Sequence, residues 1–171
     1  NGKIKILDLC TGSGAIAVSL SSFLGDEAEV FASDISTKAL EVAKNNNEKN
    51  NTNVRFIESN LFENIQEQKF NIIVSNPPYI RSNVINNLPK QVQNEPHLAL
   101  DGGEDGLKFY KIIIEQACNY IENGYLILEI GYDQKEDVEN LLKENKNYSE
   151  IKTIQDLSGN DRCVIAKVGK I

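Results

Sequence analysis

The chain has 171 residues, 40% of them hydrophobic, and a formal charge of −7 at pH 7, so it can bury one substantial core and is too short for two domains. The acidic balance offers no electrostatic footprint for nucleic acid, and His97, the single histidine, leaves multi-histidine metal sites and histidine-based triads nearly excluded. Cys10, Cys118 and Cys163 are far apart and form no CxxC, which argues against a disulfide framework and a zinc site; with no span-length apolar run and no signal-peptide pattern, a cytoplasmic protein without membrane contact is expected.

The chain opens at Asn1 without Met and enters a strand almost at once, which reads as a piece whose upstream part is missing, with residues 1–171 as one domain. Lys3 to Leu9 reads as the first strand, and Cys10-Thr11-Gly12-Ser13-Gly14 as a tight loop feeding a helix from about Ala15 to Leu24, ended by Gly25-Asp26. Glu29 to Ser33 reads as a second strand ending at Asp34, and Ser36 as the cap of a helix to about Asn47 with Leu40 and Ala43 inward. Val54 to Glu58 makes a third strand. After the Asn60-Leu61-Phe62 turn, Ile72 to Ser75 is an inner strand that stops at Asn76-Pro77-Pro78-Tyr79, because two prolines allow neither strand nor helix beyond it.

Arg81 to Glu104 reads as an irregular stretch, long enough to suggest a functional loop or lid, with His97 a loop residue in it. Gly106 to Ile121 returns to helical period, with Leu107, Tyr110, Ile113 or Ile114, Ala117 and Ile121 on one stripe. Asn123-Gly124 reads as a turn into the apolar strand Tyr125 to Ile130. Gln134 to Asn145 is an amphipathic helix, and Tyr148 to Gln155 with Cys163 to Val168 a closing strand pair. This alternation predicts a doubly wound, mainly parallel α/β sheet.

Two stretches carry chemistry. The glycines of the first loop let backbone approach a ligand at a helix N-terminus, and Asp34, twenty residues beyond Gly14, stands where a carboxylate takes ribose hydroxyls. A nucleoside-bearing cofactor follows, although Gly12-Ser13-Gly14-Ala15-Ile16-Ala17 also fits the G-x-G-x-x-A of nicotinamide enzymes. The second stretch, Asn76 to Tyr79, has two residues without N–H, so it offers carbonyl acceptors beside an amide and an aromatic ring, suited to a planar group that donates N–H bonds. That cradle fits an amino-group acceptor better than a hydride acceptor and favours S-adenosylmethionine. Asp8, at the tip of the first strand, either holds that cofactor's ammonium group or caps the loop.

Together DLCTGSGAIAVSL, SDIS, SNPPYI, EPHLALDGGEDGLKFYKII, LEIGYDQ and DLSGNDRCVIAK resemble the catalytic domain of the release-factor glutamine methyltransferases across essentially the whole chain. NPPY alone is also found in adenine-N6 DNA methyltransferases and in a ribosomal-protein glutamine methyltransferase; the combination with ALDGGEDGLKFY, LEIG and GNDR is more specific. The resemblance implies a class I, Rossmann-like S-adenosylmethionine-dependent methyltransferase with seven strands, the last antiparallel. It further implies a methyl transferred to the side-chain amide of the Gly-Gly-Gln glutamine of peptide-chain release factors, leaving S-adenosylhomocysteine, and a family N-terminal helical domain that is absent here. By position, Thr11, Gly12, Ser13 and Gly14 would wrap the methionine part of the cofactor, Asp34 its ribose, and Asn60 and Leu61 the adenine. Asn76 and Pro77 would hold the glutamine amide, with Pro78 and Tyr79 against it. Cys10 stands where the family usually has Gly, Asn60 where it usually has Asp, and Leu61 where some members have Trp.

Overall fold

A computed structural model describes residues 2–66 and 68–169. In chain order the elements are β1 (Ile4–Leu9), α1 (Ala15–Leu24), β2 (Ala28–Asp34), α2 (Thr37–Lys49), β3 (Val54–Glu58) and β4 (Phe70–Ser75). Then come the short helices α3 (Lys90–Gln93) and α4 (His97–Leu100), followed by α5 (Lys108–Ala117), β5 (Ile121–Glu129), α6 (Lys135–Glu144), β6 (Tyr148–Gln155) and β7 (Asp161–Val168). The seven strands form one sheet in the order β3-β2-β1-β4-β5-β7-β6. β7 alone runs antiparallel to its neighbours, so the expected mainly parallel sheet with its last strand reversed is the sheet observed.

The inner strands are apolar on both faces because helices cover both. The last four residues of β1 and the segment Val30–Ser33 of β2 are buried without a break. On one face Ala17 and Val18 of α1 pack on Val30, Ala32 and Val54. On the other, Tyr110 and Ile113 of α5 and Val138 and Leu142 of α6 join Leu7, Leu9, Ile73 and Leu128 in the larger core.

Local chemistry sets the boundaries. Ser36 caps α2, its Oγ accepting the Ala39 amide at 3.2 Å, and Leu40 and Ala43 are buried beneath it. At the start of α1, Gly14 takes φ 79°, and a Cβ there would stand 2.9 Å from that of Ala43, so this glycine lets α1 pack against α2.

One boundary differs from the sequence expectation. Ile121 does not close the α5 stripe, and Asn123-Gly124 does not turn: both lie inside β5, which begins at Ile121. The register between β4 and β5 shifts between Phe70 and Ile72, and a Cβ on Gly124 would fall 1.9 Å from the Asn71 carbonyl oxygen. The glycine therefore serves a close backbone approach at an irregularity in the ladder. The stretch read as an irregular loop from Arg81 holds a 3₁₀ segment at Ser82–Asn87 and the two short helices.

Candidate active site

A parallel sheet gathers its carboxyl ends at one edge, and here β1, β2, β3 and β4 deliver four loops to a single cleft of about 660 Å3. The β1 loop contributes Cys10, Thr11, Gly12 and Ser13, β2 contributes Asp34, β3 contributes Ser59, Asn60 and Leu61, and β4 contributes Asn76, Pro77, Pro78 and Tyr79. Ten of the twelve sequence-predicted site residues thus share one cavity. Gly14 and Asp8 do not line it.

The glycine loop is held in place from below. Its Thr11 amide donates to the Ser33 carbonyl at 2.9 Å, and the Gly12 amide donates to Asp34 Oδ2 at 2.9 Å, while Asp34 Oδ1 accepts the Ser36 amide. Both oxygens of the acid are oriented by backbone donors, and each keeps a lone pair for a hydroxyl. Gly12 sits at φ 55°, and a Cβ there would meet nothing within 4 Å. The space beside it is the open floor of the cleft.

Asp8 works on the loop from inside. It is 1% exposed, and its Oδ2 accepts the Thr11 hydroxyl at 2.5 Å and the Ala17 amide at 3.1 Å, tying loop to helix. Its Oδ1 is buried without a hydrogen-bond partner among the described residues. Burial pushes the carboxyl up to about 7, partly opposed by the Thr11 and Ala17 bonds and reinforced by the charge of Asp34. The same burial, with Asp34 nearby, pushes the Cys10 thiol up to about 12. Cys10 and Leu61 both adopt the left-handed conformation, at φ 61° and 48°. The Leu61 turn is held by Ser59, whose Oγ donates to the Leu61 carbonyl at 2.7 Å and accepts the Asn64 amide at 2.9 Å. Asn60 gives its Nδ2 to Glu63, and among the described residues no donor reaches its side-chain oxygen.

At the β4 end, Ser75 is fully buried and donates to the Leu9 carbonyl at 2.7 Å, locking the two central strands where they stop. Asn76 follows, exposed, then buried Pro77 and half-buried Pro78 and Tyr79. Among the described residues no protein donor reaches the Pro77 carbonyl or the Asn76 side-chain oxygen. Glu129, which the β4–β5 register sets beside Asn76, has its carboxyl raised by burial, with the Arg162 guanidinium and the Asn76 side-chain amide pulling the other way. Tyr79 is raised by burial and by Glu129, again against Arg162.

The 81–104 stretch, expected to be a functional loop or lid, supplies Val92, Glu95, Pro96 and Leu98 to the facing wall of the cleft, together with Lys108 and Phe109 of α5. Two features escaped the sequence reading. Gln134, read only as a helix start, is buried beside Tyr79. Glu129, and Arg162, which binds Asp156 and the Ile130 carbonyl, both act on the charge of Tyr79; LEIG and GNDR marked their places but gave no role. His97 opens α4 with an exposed side chain and is not part of the cleft wall.

Comparison with known proteins locates this arrangement. The model of the methyltransferase small domain family matches residues 1–102, more than half of the chain. The chain belongs to this family. Methyltransferase small domain relatives include a release factor glutamine methyltransferase of Agrobacterium fabrum, 44% identical over 167 residues, covering 95% of this chain and 57% of that protein. A ribosomal protein uL3 glutamine methyltransferase of Francisella tularensis is 46% identical over 133 residues, covering 76% of this chain and 42% of its own length. The chain spans about half the length of the curated relatives it matches. Among solved structures, a methyltransferase from Pyrococcus furiosus superposes with a TM-score of 0.73 at 21% identity, covering all of this chain and 77% of that one. That likeness fixes the fold as the class I methyltransferase fold.

Proposed function

We propose that this chain is the catalytic unit of a protein-glutamine methyltransferase that uses S-adenosylmethionine to methylate the side-chain amide of the Gly-Gly-Gln glutamine in peptide-chain release factors. The observation that carries it is a pair of unengaged acceptors, the Asn76 side-chain oxygen and the Pro77 carbonyl, in the same cleft as the glycine loop and Asp34. The 44% identity to a protein named release factor glutamine methyltransferase supports the same target, and action at the translation machinery implies a cytoplasmic location. Among the described residues no helix is long and apolar enough to cross a membrane. The charge of −7 weighs against nucleic acid as the direct partner.

The residues fit an amphipathic nucleoside cofactor: an open floor at Gly12, a carboxylate with spare lone pairs at Asp34, and an apolar wall at Ile35 and Leu61. Thr11, Gly12 and Ser13 would hold the methionine end, Asp34 the ribose, and Asn60 and Leu61 the adenine. When bound, S-adenosylmethionine supplies a methyl group activated by its sulfonium.

An amide nitrogen is a poor nucleophile because its lone pair is shared with the carbonyl, the resonance that gives the peptide bond its rotation barrier of roughly 18–20 kcal/mol. Positive charge grows on that nitrogen as it takes the methyl. Asn76 Oδ1 and the Pro77 carbonyl, each accepting one N–H, stabilise that charge and aim the nitrogen. An ionised Glu129, which the β4–β5 register sets beside Asn76, would favour the Asn76 rotamer with its NH2 turned toward the carboxylate and its oxygen toward the substrate. Tyr79 packs on the amide plane. The cation formed when the amide nitrogen takes the methyl would be acidic enough to release its extra N–H proton to water, leaving the neutral N-methyl amide, so no strong base is required.

The uL3-type target is the second reading, carried by the 46% identity to the Francisella protein. Competition decides between them: with purified release factor and uL3 offered together, labelled methyl is expected on the release factor, and label on uL3 alone would favour the second reading.

A further inference from the structure

The acceptor loop cannot hold itself. Pro77 and Pro78 have no N–H to give, so its shape must be imposed from outside. The chain leaves it through Ile80, whose amide donates to the Leu100 carbonyl at 2.9 Å and whose carbonyl accepts the Gly102 amide at 2.8 Å. The loop's own last carbonyl, that of Tyr79, accepts Gln134 Nε2 at 3.1 Å.

We propose that Gln134 is a positioning residue for methyl transfer, clamping the Tyr79 carbonyl so that the Asn76 and Pro77 acceptors keep their aim; its catalytic consequence rests on the function proposed above. Gln134 immediately precedes α6 and is 2% exposed. Its amide joins three segments. Nε2 donates to Tyr79 and, at 3.2 Å, to the Gly106 carbonyl, while Oε1 accepts the Gly131 amide at 2.9 Å. The surrounding chain is shaped to admit it. A Cβ at Gly106 would stand 2.6 Å from the Tyr79 oxygen and 2.8 Å from Gln134 Nε2, and one at Gly131 would stand 2.8 Å from Oε1. The exposed Arg81–Asp133 ion pair, 3.0 Å long, crosses the same junction but is screened by water and cannot replace a buried amide.

The chemistry is selective. Only an amide of this length supplies two donors and one acceptor; Met fills the space with neither, and an ionised Glu turns two acceptors on two carbonyls. A protonated Glu recovers one donor, and burial raises the pH at which it does so. Leaving buried carbonyls unpaired is the costly side of a lost hydrogen bond.

The test compares wild type, Gln134→Met and Gln134→Glu in three measurements: protection of the Ile80 and Gly102 amides against hydrogen exchange, with the Leu7 amide as reference; calorimetric affinity for S-adenosylhomocysteine; and kcat and KM for a purified release factor. In Gln134→Met, Ile80 and Gly102 are expected to exchange about tenfold faster or more while Leu7 is unchanged, and kcat to fall about tenfold or more with product affinity held within about twofold. In Gln134→Glu, kcat relative to wild type is expected to recover between pH 8 and pH 5, and in Gln134→Met it is not. Wild-type exchange and kcat in Gln134→Met would overturn the proposal; so would faster exchange without loss of kcat, and so would identical pH profiles of the two variants. If the wild-type chain transfers nothing, the functional reading fails, and the exchange data still decide whether Gln134 holds the loop.

Discussion

Asn76 is the residue on which the proposed chemistry converges, because it is exposed at the end of a strand whose preceding residue, Ser75, is wholly buried and bonded to Leu9. Removing its acceptor should act on charge development and leave the nucleoside side of the cleft alone. Asn76→Ala is expected to lower turnover by about 10²–10³ with product affinity unchanged, and wild-type turnover would remove Asn76 from the mechanism. Cys10 offers a different kind of check. Its thiol is pushed up to about 12 by burial and by the carboxylate of Asp34, so at pH 8 it is neutral and a weak nucleophile although it borders the cleft. Iodoacetamide followed by peptide mapping should leave Cys10 unmodified in the native chain and modify it after denaturation; rapid native labelling would contradict this environment. Asp8 predicts a pH dependence of stability. Its folded carboxyl titrates at about 7 against an ordinary value near 4, so between those values the native state holds the extra proton, and stability declines as pH rises through that window. The unfolding free energy from urea titrations should fall from pH 5 to pH 7.5 in the wild type, by an amount on the order of a few kcal/mol at most, and the decline should flatten in Asp8→Asn. At this scale the sequence exposes Asp34, Gly12 and Asn76, since each residue type at its strand end has few other uses. It leaves Asp8 ambiguous, because a ligand-facing acid and a loop or helix cap share the same position.

Loops and strand ends carry the site, and their shape depends on close backbone approaches. The segment from Asp101 to Gly106 lies directly on the acceptor loop: Ser82 donates to Asp101 Oδ1 at 2.6 Å, its amide donates to the Gly103 carbonyl, and a Cβ on Gly102 would stand 2.7 Å from the Tyr79 Cα. Backbone cannot yield there as a side chain would. Gly102→Ala should therefore destabilise the chain by about 1–3 kcal/mol and depress methyl transfer beyond what stability explains, read from urea midpoints and from kcat under conditions where both proteins are folded. Unchanged values of both would mean that the two loops do not press on each other. Periodicity locates nearly every strand and helix, because inner parallel strands read as unbroken apolar runs and covering helices as stripes. It fails at Asn123-Gly124, where the usual turn signal marks a register shift against Asn71 instead. A local pattern does not distinguish a glycine that reverses the chain from one that makes room for a neighbouring strand.

On the scale of the molecule, the strand order places β1 beside both β2 and β4, so residues 11, 34 and 76, remote in sequence, emerge at one edge. The rule that doubly wound sheets bind ligands at that edge makes this half of the cleft legible before any coordinates. The facing wall, from Val92 to Phe109, is legible only as a long irregular stretch suited to a functional loop or lid, because its short helical turns have no periodicity long enough to register and their placement depends on tertiary contacts such as the Ile80–Gly102 bond. Gln134 is hidden for the same reason: a glutamine before a helix is unremarkable until three segments meet on it. The most direct measurement is mass spectrometry of a purified release factor after incubation with this chain and S-adenosylmethionine, with fragmentation to locate the modification. A single methyl on the side chain of the Gly-Gly-Gln glutamine is the predicted result. A methyl on any other residue, or none from a chain shown to bind the cofactor and the release factor, would contradict it.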